Sequence, residues 1–178
     1  MLKEEEISRI FSWLPYREDW PAGRNQSMDS IKAYHSELTK QLTQNKLFDT
    51  YSSEDGGLGN YLEFLCYPIQ HHAYEGNCVM VCVSLCAPVA AYGQTTIWKT
   101  KDSFGRGEMF NPEKVNLISD VGLYEIEKEI RNILASYRLH LLDKVVVSRL
   151  LPAEIEGLKY ENHNEGNQYL HGFFQKTD

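Results

Sequence analysis

Nowhere does the chain hold an apolar run near the ~20 residues that cross a bilayer as a helix. It has no excess of basic residues either: 18 Lys and Arg stand against 25 Asp and Glu, a formal charge of −7. Nucleic-acid binders draw most of their affinity from Lys and Arg on phosphates, so that class is set aside. The opening stretch MLKEEEISRI places three glutamates where a secretion signal needs positive charge and then an apolar run. The expectation is a cytoplasmic protein with no membrane association. Catalytic signatures are absent as well: there is no G-x-S-x-G elbow, no P-loop lysine and no helical pair of zinc-binding histidines. The glycines of YSSEDGGLGN (51–60) precede a strand, whereas a phosphate cradle follows a strand and opens a helix. No cofactor is expected.

What is present is ordinary globular material, 42% apolar and 24% charged over 178 residues, read as one domain spanning 1–178. A chain of this length buries about 70% of its unfolded surface, so no disulfide or structural metal is needed to hold a core. Ile7, Ile10, Phe11 and Leu14 keep helical spacing up to Pro15. Ile31, Tyr34, Leu38 and Leu42 form the buried stripe of a second helix, capped by Ser27 or Asp29. Turn chemistry over 51–60 then gives way to a strand from Tyr61 to Ile69, a polar connection from Gln70 to Asn77, and strands over Cys78–Cys86 and Ala90–Thr100. Residues 101–116 read as a surface loop. After Ser119 or Asp120 comes the longest helix, with Leu123, Ile126, Ile130, Ile133, Leu134, Tyr137 and Leu141 on one face. Val145–Val147 reads either as a short strand or as a continuation of that helix, and Tyr169–Phe174 as a return to the sheet. The fold class is α+β: an antiparallel sheet of three or more strands against N-terminal helices and one long later helix.

Four cysteines fall in the strand region, three of them at intervals of four residues in CVMVCVSLC. At about 3.3 Å per residue, cysteines four apart on a strand lie ~13 Å from one another, too far to share a zinc. Cys78, Met80, Cys82, Ser84 and Cys86 therefore form one face and the valines the other, both buried; Cys66 is placed opposite Cys78. His71, His72 and Glu75 make up the one metal or acid–base candidate, two imidazoles and a carboxylate on the hairpin loop. Eleven tyrosines and three tryptophans exceed what one core requires, and such side chains anchor interfaces. Trp13, Tyr16 and Trp20, beside the loop after the first helix, and Tyr92 and Trp98 in the third strand are the binding candidates.

The strand segment VCVSLCAPVAAYG, the long helix after it, the acidic balance and the missing catalytic motifs together resemble bacterial immunity proteins that neutralise a cognate toxin. The resemblance spans roughly Tyr61 to Leu151. It implies a protein partner, a basic toxin domain whose cleft meets Glu and Asp side chains around Tyr or Trp anchors. A small-molecule binder with a pocket between sheet and helices, and an enzyme built on the His71, His72 and Glu75 group, remain alternatives. The oligomeric state is open, a homodimer included.

Overall fold

The computed structural model describes residues 3–11, 14–20, 28–52, 61–70, 73–100, 103–107, 110–149, 170, 173 and 174. The elements are α1 (Glu4–Phe11), α2 (Met28–Thr43), β1 (Phe48–Ser52), β2 (Tyr61–Pro68), β3 (Tyr74–Ser84), β4 (Val89–Lys99), β5 (Phe104–Arg106), α3 (Tyr124–Ser136), β6 (His140–Leu141) and α4 (Lys144–Val147). Strands β1 to β5 form an antiparallel meander in chain order, and β6 joins the start of β4 in parallel. The protein is α+β: the described residues form a six-stranded sheet with four α-helices. Among the described residues no helix is long and apolar enough to cross a membrane.

Side-chain alternation along β3 divides the interior in two. Val79, Val81 and Val83 face α2 and α3, joining Leu38, Leu42, Phe48, Phe64, Tyr92, Ile126, Ile130 and Leu134. Cys78, Met80 and Cys82 face the other way, among Leu65, Tyr67, Ile97, Phe110, Val115, Ile10, Val147 and Phe173. Both faces of the central strand are thus covered, as the unbroken apolar run requires. On the second face the sheet curls until its edges meet: Tyr51 of β1 stacks on Phe104 of β5 with centroids 3.6 Å apart. This face is therefore concave, and α2 and α3 lie on the convex side.

Several sequence expectations need correction. Tyr51 and Ser52 belong to β1 rather than to a turn, and Leu14 lies beyond the end of α1. Strand β3 starts at Tyr74, so the connection after β2 is shorter than expected and Glu75 sits in the sheet. The stretch read as a surface loop, 101–116, contains β5 and buries Phe110 and Val115 against the concave core. Cys66 pairs with Val79, not Cys78, and lies on the helix side.

Leu141 is not part of α3. The helix stops at Ser136 because the Arg138 N–H bonds to the Ala135 carbonyl and the Leu139 N–H to that of Leu134, a Schellman closure with Arg138 at φ 56°. Arginine at the position usually held by glycine left no stop signal to read. Val145–Val147 lies within a separate short helix, with Asp143 accepting from the Val146 N–H. Of the stretch Tyr169–Phe174, Leu170, Phe173 and Phe174 are described; they join the concave core, the Phe174 N–H donates to the Leu170 carbonyl, and none of the three is in a strand.

Candidate functional site

Two of the three N-terminal aromatics come together; Trp13 lies outside the described residues. The segment from Tyr16 to Trp20 is fastened to the β3–β4 turn by the Tyr16 N–H donating to the Cys86 carbonyl and the Trp20 Nε1–H donating to that of Leu85. Tyr16 and Trp20 meet edge to face, Trp20 meets Tyr34 in the same way, and Tyr34 meets His35. Trp20 is buried on Leu85, so its contribution is to packing. Tyr34, expected on the buried stripe of α2, is instead 47% exposed, and the inward position belongs to His35, 3% exposed. The spacing of His35, Leu38 and Leu42 fits a helix face as well as that of Tyr34 does, but a polar imidazole draws no attention as a core residue. Among the described residues its Nε2 has no hydrogen-bond partner, and burial pushes its pKa down to about 4.

Tyr92 and Trp98 share the convex face of β4 but not an environment. Tyr92 sits beneath α3, where its hydroxyl donates to Glu127 at 2.7 Å, and burial raises its pKa. Tyr92 belongs there to the buried cluster that holds Phe64, Val81, Ile126 and Ile130. An open groove of about 570 Å³ lies instead between the end of α2 and α3, lined by Gln41, Gln44, Leu47, Glu129 and Ile133.

Trp98 lies six residues beyond Tyr92 and is 46% exposed. Its cross-strand neighbours are Glu75 on β3 and Gly105 on β5. The indole spreads sideways over Gly105, so closely that a Cβ there would fall inside the ring. Next along this face, Asn77 donates to Asp120, which also accepts from the Gly122 N–H; these bonds lower the Asp120 pKa. Gln94 anchors the same corner, its Oε1 accepting from the Ser119 and Asp120 N–H groups. Exposed Leu117, Val121 and Tyr124 surround the start of α3.

The concave face carries a further set of buried polar groups, which drew no attention in the sequence. Glu63 is buried and pairs with Arg106 at 2.9 Å, tying β2 to β5 across the curl. The Tyr61 hydroxyl donates to Glu63 at 3.4 Å, and Lys99 Nζ donates to the Tyr67 hydroxyl at 2.9 Å. All four thiols are buried and unbridged, and burial pushes Cys66 and Cys86 up to about 12, which makes them inert packing groups. Of the metal candidates, Glu75 is an exposed strand residue, and His71 and His72 lie outside the described residues. No group of three or more metal-ligating side chains occurs among the described residues.

No family model matches the chain, and neither does any curated protein or solved structure.

Proposed function

We propose that the chain is a protein-binding module for a basic partner, working through the Trp98 end of the convex sheet face, with toxin neutralisation as the specific role. The carrying observation is the half-exposed Trp98 beside Glu75 on a part of the sheet that α2 and α3 leave open. Tryptophan concentrates binding energy because it removes a large apolar area from water while keeping a polar edge. A net charge of −7 steers a cationic partner and repels nucleic acid. Val121, 74% exposed, follows Asp120, which accepts from Asn77 two residues along β3 from Glu75, and adds apolar area for contact.

The test is complex formation with the protein encoded beside this one, followed by size exclusion and by growth of cells expressing both. A stable complex, protection of the cells, and an affinity at least about tenfold weaker for Trp98→Ala are expected. Absence of a complex at low salt, or cells that die regardless, would overturn the reading.

A further inference from the structure

We infer that the Trp98–Glu75 pair is an acceptor for an arginine side chain of the partner. The inference rests on the binding-module reading and adds the chemistry of recognition. Three observations carry it. Gly105 admits the indole so close to β5 that a Cβ there would overlap the ring, while Trp98 stays 46% exposed. Glu75, the direct cross-strand neighbour, is exposed and makes no ion pair among the described residues. The cations nearest in β4 and β5 are turned away by strand alternation: Lys99 donates to Tyr67 and Arg106 pairs with Glu63, both on the concave face. The indole face and the carboxylate are therefore unoccupied by the cations of their own strands.

A guanidinium suits this pair better than an ammonium. It is planar and weakly hydrated, so it stacks on an indole while its N–H edge reaches a carboxylate beside the ring. A lysine head group is a compact, strongly hydrated charge, and contact with the ring competes with its contact to the acid. Phosphate and carboxylate ligands are disfavoured at the same place by Glu75.

The probe is a Gly-Arg-Gly-Arg-Gly peptide with blocked ends, titrated at low ionic strength into isotopically labelled full-length protein, with the Trp98 indole N–H resonance as the reporter. Matched peptides carry lysine, or citrulline, which keeps the planar shape without the charge. The expected result is a shift of the Trp98 signal, binding about three- to tenfold tighter for arginine than for lysine, and no measurable binding for citrulline. Glu75→Gln weakens arginine binding about threefold or more, and Trp98→Phe weakens it while keeping part of the arginine preference. These two variants replace exposed side chains and preserve the fold even where Trp98→Ala uncovers Gly105. Equal binding of arginine and citrulline peptides, or affinities unchanged in both variants, would overturn the inference. If the intact partner complex forms and ignores both substitutions, the module binds through another surface and this inference alone fails. If no partner complex forms, the binding-module reading fails by itself.

Discussion

His35 offers a test in which burial is read out as pH dependence. The imidazole is 3% exposed, its Nε2 has no partner among the described residues, and its pKa falls from 6.5 to about 4 on folding. Between these values the unfolded chain takes up a proton that the folded chain refuses. Stability is thus fully present above pH 6.5, declines as the pH falls, and levels off below about 4, where both states are charged. A gap of this size corresponds to about 3 kcal/mol in total, of which roughly 2.5 kcal/mol is lost between pH 7.5 and 4.5. Replacing His35 with leucine removes both the titration and the unsatisfied nitrogen. At pH 7.5 the variant should be as stable as the parent or about 1 kcal/mol more so, since an unpaired buried polar atom is costly. Urea unfolding of both proteins at the two pH values supplies the comparison. Carboxylates with lowered pKa values, such as Glu6 and Asp120, act in both proteins and cancel in the difference. Equal losses of stability in the two proteins on acidification would refute the placement of His35 as a buried neutral group.

Three further substitutions probe the sheet and its helix. Arg106→Met leaves the buried Glu63 carboxylate without its guanidinium and should cost about 3–5 kcal/mol, seen as a fall in Tm of roughly 10 °C; a shift under 3 °C would show that the pair does not tie the curl together. Gly93→Ala sets a Cβ 2.5 Å from Phe110 Cγ, so a destabilisation of about 1–3 kcal/mol is expected, relieved in part when Phe110 is shortened to leucine in the same chain. A double variant no better than the single one would mean that Phe110 is not the obstacle. Arg138→Gly relieves the left-handed backbone at the end of α3 and should stabilise by about 1 kcal/mol in chemical denaturation, whereas a loss of stability would mean that the arginine side chain matters more than its φ of 56°.

Periodicity was a good guide where one element buries a continuous stripe. The β3 segment announced its two faces through the alternation of cysteine with valine, and Val79, Val81 and Val83 do lie opposite Cys78, Met80 and Cys82. The inward face of α3 was equally legible up to Leu134. Beyond that point Leu141 continued the apolar spacing although the helix had ended, because a Schellman closure is made by backbone bonds and Arg138 carries no mark of it. Periodicity also could not choose between Tyr34 and His35, whose positions differ by one step around α2.

The candidate site was legible only in part. Trp98 was singled out for its residue type, while its neighbours Glu75 and Gly105 are 23 residues before it and seven after it in the chain and meet it only through strand register. Glu63 and Arg106, 43 residues apart, are joined by the curl of the sheet alone. Composition, charge and local repeat by themselves determined the α+β class, the doubly covered central strand and the absence of a recognised catalytic motif, since these depend on residues near one another in sequence. The tertiary structure alone decided which polar groups are buried together and which aromatic stays open, because pairing register and sheet curvature are set by the packing of the whole core.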